Sequence, residues 1–105
     1  MTRAVFLVKK GSLCGFRLSG HCDADDAGYD IVCAAVSSAA YMTANTITDI
    51  LGCPAAIEMQ DAYLELVVEK ADIERCAAIL AGFRLHMTEL QKQYPQYIQV
   101  EITEV

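Results

Sequence analysis

The sequence predicts an α+β fold, a two-layer sandwich in which a mixed or antiparallel sheet is packed by two helices in the order ββαββαβ. Three observations lead there. Two long stretches carry apolar residues at spacings of three and four, the period of a helix with one buried face. Five shorter stretches are rich in β-branched and aromatic residues or alternate apolar with polar, the period of a strand. The length, 105 residues, is close to the commonest domain size and sufficient for one core without metal or disulfide staples, so residues 1–105 read as a single domain.

Residues 3–9, with Val5, Phe6, Leu7 and Val8, form the first expected strand. Lys10, Gly11 and Ser12 make a turn. Residues 13–19 then set Leu13, Gly15 and Arg17 against Cys14, Phe16 and Leu18, an antiparallel return. Gly20 ends this strand and His21 opens a loop. Residues 22–29 hold Asp23, Asp25, Asp26 and Gly28 with no hydrophobic period, an acidic loop. Asp30 is expected to cap the first helix, which runs to about Leu51 with Val32, Val36, Ala39, Ala40, Thr43, Ile47 and Ile50 on one face. Gly52, Cys53 and Pro54 stop it.

Residues 55–60 and 63–69 form a hairpin around Gln60, Asp61 and Ala62. Asp72 is expected to cap the second helix, whose buried face is Ile73, Cys76, Leu80, Phe83, Met87, Leu90 and Tyr94. Pro95 closes it. In residues 97–104, Tyr97, Gln99 and Glu101 alternate with Ile98, Val100 and Ile102, giving a last half-buried strand.

Composition narrows the function. Hydrophobic residues make up 54% of the chain, which excludes general disorder. No uninterrupted apolar run approaches the roughly 20 residues of a membrane span, so no membrane is expected. The first ten residues end their apolar stretch in two lysines, unlike a signal peptide, and a cytoplasmic location is the expectation. A net charge of −6 disfavours direct nucleic-acid binding, which needs clustered Lys and Arg. The five cysteines are odd in number and lack CxxC spacing, against a disulfide framework or a zinc knuckle. Cys14, Cys53 and Cys76 read as small buried apolar side chains, and His86 as a surface residue.

The chemistry concentrates at His21 and Cys33. A cysteine in the first turn of a helix meets unpaired N–H groups worth roughly 0.3–1 kcal/mol toward an anion. A histidine able to take the thiol proton makes the pair a catalytic thiolate–imidazolium candidate. A helix-start cysteine alone is more often merely buried. Cys22 is a rival nucleophile, but it lacks the helix terminus. A metal set of His21, Cys22 and Cys33 with Asp23 or Asp25 matches no familiar zinc spacing, and neither metal nor other cofactor is expected. Asp23, Asp25, Asp26 and Asp30 would raise the thiol pKa if they lay close to it. Asp30 either caps the helix or orients His21. Ser37, one turn beyond Cys33, either donates a hydrogen bond near the sulfur or bonds back to a carbonyl.

Gly20-His21, then Gly28, the run Asp30-Ile31-Val32-Cys33-Ala34-Ala35, and Ser37 resemble the signature of the ribosomal-processing cysteine protease family, called Prp. The resemblance covers the whole chain in length and element order. It implies His21 as base and Cys33 as nucleophile, with Asp30 and Ser37 at motif positions. It also implies a substrate loop that includes Gly20, Cys22, Asp23, Asp25, Asp26 and Gly28, mobile over residues 22–29. Cys22 departs from the small residue usual after the histidine. The implied activity is removal of an N-terminal extension, with paired phenylalanines before the cut, from large-subunit ribosomal protein twenty-seven by a homodimeric endopeptidase. Two rivals come from other classes: a non-catalytic ribosome-associated binding module, and a thiol-redox sensor built on Cys22 and Cys33.

Overall fold

Strand β1 (Thr2–Lys9) turns back through Lys10 and Gly11, both at positive φ, into β2 (Ser12–Ser19). In this computed structural model the described residues are 1–20 and 27–105, without the side chains of residues 27–29. The helix α1 (Ala27–Asn45) follows, then β3 (Ala55–Gln60), β4 (Tyr63–Val68), α2 (Ile73–Gln93) and β5 (Ile98–Glu104). The predicted ββαββαβ order is the observed one. The five strands form one sheet in the order β3-β4-β2-β1-β5. Pairings are antiparallel except β1 with β5, which is parallel. A parallel neighbour needs a crossover, and α2 supplies it between β4 and β5.

Both helices cover one face of the sheet. There Phe6 and Phe16 meet Phe83 of α2 edge-on, at ring centroid distances of 5.5 and 4.8 Å. Val32, Val36, Ala40 and Ile47 of α1 and Cys76, Leu80 and Met87 of α2 share this core. The opposite face carries a smaller cluster of Val5, Leu7 and Cys14. Cys14 reaches it through a bulge: the register slips between Leu7 and Val8, so Gly15 faces Leu7 and Leu13 faces Val8. Ion pairs from Arg3 to Glu101 and from Arg17 to Glu65 lie along this face.

Several expectations about the helices need correction. The first helix begins at Ala27, so Asp30 lies in its first turn rather than ahead of it, and residues 27–29 are helix rather than loop. Ile50 is not buried but 78% exposed. The reason is a π turn over Thr46–Ile50, closed by the Leu51 N–H donating to the Thr46 carbonyl. A wider turn rotates Ile50 off the buried stripe, and Leu51 packs against the core in its place. Asp72 precedes α2 but makes no capping bond with its side chain; it pairs with Arg75 at 3.6 Å, and a 3-10 turn, Lys70–Asp72, leads in.

Asp30–Ile50 also has the length and apolarity to cross a membrane, where no span was expected. Its hydropathy is carried by alanines among serines and threonines. Val32, Val36, Ala40, Thr43 and Ile47 along it are buried in the domain core. That is the pattern of a core helix packed on a sheet.

Candidate functional site

Gly20 ends β2 under tight constraint. Its φ is +127°, and a Cβ there would collide with the Met1 carbonyl. Its N–H donates to the Ala62 carbonyl at 3.1 Å, tying the strand end to the tip of the β3–β4 hairpin. Only glycine tolerates both the φ and the approach. The chain therefore leaves the sheet toward residue 21 from a fixed point.

A groove of about 590 Å³ opens at that point, between α1 and the β3–β4 hairpin. Gly20, Cys33 and Ser37 all line it, so three of the residues singled out in the sequence share one surface. Cys33 is half-buried and Ser37 exposed, one helical turn apart on the same side of α1. Thr43, Thr46 and Thr48 bond back to carbonyls four residues earlier. Asp30 is exposed and is not among the groove's lining residues. His21, Cys22, Asp23, Asp25 and Asp26 lie outside the described residues, as does the side chain of Gly28's neighbour Tyr29.

Because α1 starts at Ala27, Cys33 is not in its first turn. The orphan N–H groups belong to Ala27 through Asp30, about 4.5–9 Å back along the axis at 1.5 Å per residue. The helix-terminus field falls off within one turn, so it contributes little at this sulfur. Among the described lining residues no Lys, Arg or His is present, and Asp61 brings a negative charge. Any cation that stabilises a Cys33 thiolate comes from elsewhere.

Cys33 is disulfide-bonded, a departure from the expectation of reduced thiols, while Cys14, Cys53 and Cys76 are free. A sulfur in a disulfide is not a nucleophile; reduction must precede any attack. The free three are buried, as expected. Burial raises the Cys14 pKa, and its Sγ lies 3.5 Å from the Leu7 carbonyl. Burial, with a hydrogen bond and the charge of Cys53, pushes Cys76 up to about 11. Among the described residues no group of three or more His, Cys, Asp and Glu could hold a metal ion.

Sequence reading did not find the groove's far wall: Tyr41 on α1, and Met59, Gln60, Asp61 and Tyr63 on the hairpin. The hairpin itself was legible, but nothing local signals that its tip folds beside Gly20. Behind it, the Tyr63 hydroxyl donates to Glu65 at 2.6 Å and Arg17 Nε donates at 2.9 Å. The Tyr63 hydrogen bond, then the hydrogen bond and charge of Arg17, hold the Glu65 carboxyl below its ordinary pKa.

The family model for cysteine protease Prp matches residues 1–99. Among solved structures, the chain is similar to SMU.848 from Streptococcus mutans, with 26% identity, a TM-score of 0.86, and coverage of 100% of this chain and 96% of that one. It is also similar to the essential ribosomal processing protease Prp from S. aureus in complex with a substrate peptide. That likeness has 19% identity and a TM-score of 0.88, covering 98% of this chain and 100% of that one. The same S. aureus protease with a covalently linked product peptide gives 20% identity and a TM-score of 0.86, with the same coverage. No curated protein matches. With the match running from residue 1 to residue 99 and the fold shared over nearly the whole chain, this protein belongs to the Prp family of cysteine proteases.

Proposed function

We propose that the protein is a ribosomal-processing endopeptidase in which Cys33 is the nucleophile and His21 the base. The observation that carries this reading is the shared groove: Gly20, the residue before His21, and Cys33 line one cleft between α1 and the hairpin tip. The chain has two histidines. His86 lines a separate hollow between α1 and α2, with Ala39 and Met42 on its opposite wall, which leaves His21 for the base. The reduced Cys33 thiol gives its proton to His21, and the thiolate attacks the scissile carbonyl. The C–N bond breaks as His21 protonates the leaving amine, and water then hydrolyses the thioester to a carboxylate and the free thiol. Ser37 stands near enough along α1 to donate a hydrogen bond in the groove.

The substrate in this reading is the N-terminal extension of large-subunit ribosomal protein twenty-seven, cut by a homodimer in the cytoplasm. Its support is the family membership and the S. aureus relative's name. The test is a peptide spanning the extension, incubated with protein under reducing conditions. One new amine terminus is expected, absent with Cys33→Ala. Undiminished cutting by Cys33→Ala would falsify the assignment, and loss only in Cys22→Ala would move the nucleophile.

A second reading, the thiol-redox sensor, is favoured by one observation, the disulfide at Cys33. The other cysteine it invokes, Cys22, lies outside the described residues. A Cys33 disulfide that opens and closes reversibly, in a protein inactive as a peptidase in both states, supports it over the first.

A further inference from the structure

We propose that the free edge of β3 is the docking rail for substrate: an extended peptide adds to it as a further strand and lays alternate apolar side chains over Ile57 and Met59. The proposal deepens the peptidase reading above and rests on it for the identity of the peptide. Four observations converge. First, β3 is an edge strand, paired only with β4, so one row of its backbone N–H and C=O groups faces outward. Such an edge is where an extended peptide gains main-chain hydrogen bonds.

Second, the strand's apolar face is uncovered. Ile57 and Met59 stand opposite Leu66 and Leu64, which lie in the core beneath the helices, so both point to the helix side of the sheet. The helix layer stops short of them, leaving Ile57 46% and Met59 57% exposed. Two apolar side chains at i and i+2 repeat about every 6.6–6.8 Å, the same repeat as alternate side chains of a bound strand.

Third, the edge runs without interruption into the catalytic groove. Met59, Gln60 and Asp61 line the groove together with Cys33, so a peptide held along β3 is delivered to the sulfur. Tyr41 on α1 also lines the groove. Fourth, the charge favours one kind of occupant. Glu58 lies on β3 and Asp61 at its end, with no cation among the described groove residues, so a neutral or basic peptide is preferred over an acidic one.

The other sheet edge is the natural control. β5 also exposes an isoleucine, Ile102, at 50%. It lies four strand spacings from β3, about 19 Å away at roughly 4.8 Å each, and has no part in the groove.

The test uses full-length Cys33→Ala protein, which binds without cutting, titrated with a fluorescein-labelled peptide spanning the proposed cut and read by anisotropy. Adding Ile57→Glu and Met59→Glu is expected to weaken binding about tenfold or more, through lost apolar contact and added like charge. Adding Ile102→Glu is expected to leave binding within about twofold, a change worth no more than a rim charge. Circular dichroism melts confirm folding, which exposed positions permit. Equal binding by all three proteins overturns the proposal, as does weakening by Ile102→Glu alone. If Ile57→Glu with Met59→Glu instead dissociates a dimer while peptide affinity stays unchanged, β3 pairs with a second copy and the proposal falls. Absence of cleavage by the Cys33 parent protein, with peptide binding still sensitive to Ile57 and Met59, defeats the peptidase reading and leaves the rail standing.

Discussion

Cys33 differs from Cys14, Cys53 and Cys76 in what its sulfur can reach. The three free cysteines are buried out of reach of solvent, and burial also raises the thiol pKa of Cys14 and pushes that of Cys76 up to about 11. Cys33 is half-buried on a groove that opens to solvent. After reduction, iodoacetamide at pH 8 is therefore expected to modify Cys33 and spare Cys14, Cys53 and Cys76, as peptide mass mapping would read. Faster labelling of Cys76 than of Cys33 contradicts this. Glu65 gives a second residue-scale prediction. Tyr63 and Arg17 depress its folded pKa, so its stabilisation is present above the unfolded value, about 4.3, and is lost as pH falls through the folded value. The pair is partly exposed, which holds the effect below about 1 kcal/mol. Glu65→Gln should flatten the fall in melting temperature between pH 5 and pH 3. At this scale the buried roles of Cys14, Cys53 and Cys76 were legible, because small apolar thiols on apolar faces have few other fates. A disulfide at Cys33 entered only through the thiol-redox rival, since spacing carries no information about which thiols meet.

The elements were legible where their chemistry is local. Apolar spacing placed both helices, and the stretches 55–60 and 63–69 read as a hairpin; the structure ends the second strand at Val68 and turns through Asp61 and Ala62, the latter at φ +57°. What escaped depends on geometry the sequence does not display. Asp30 looked like a cap, yet α1 starts three residues earlier, and its first turn accommodates an aspartate equally well. Ile50 kept the helical period on paper, but the π turn broke that period in the chain. The groove required β2, α1 and the hairpin tip to meet, and only the sheet order decides that. Gly20 fixes this meeting, so Gly20→Ala is expected to shift the β2 end and cost peptidase activity at least tenfold, with about 1–3 kcal/mol lost in stability. Unchanged turnover and melting temperature in that variant would show that the strand end is not so constrained.

Across the whole molecule the helix-covered face of the sheet carries most of the stability. Phe83 sits where β1, β2 and α2 converge, edge-on to Phe6 and Phe16. Phe83→Ala removes those ring contacts and leaves a cavity, and urea titration should show a loss of about 3–5 kcal/mol. The fold class could be read in advance because strand alternation and the two helical stripes are local patterns, whereas the strand order, with crossovers through both α1 and α2, is not. The same sheet order brings Cys33 and the end of the free β3 edge to one groove, so the proposed docking and the proposed chemistry share a surface. In the proposed mechanism the reduced Cys33 sulfur is the group that meets the scissile carbonyl. The intact and digested mass of the reduced protein, after reaction with a peptidyl chloromethyl ketone ending at the proposed cut, reads that encounter. A single adduct on Cys33 is the predicted result; an adduct on another cysteine, with Cys33 unmodified, contradicts it.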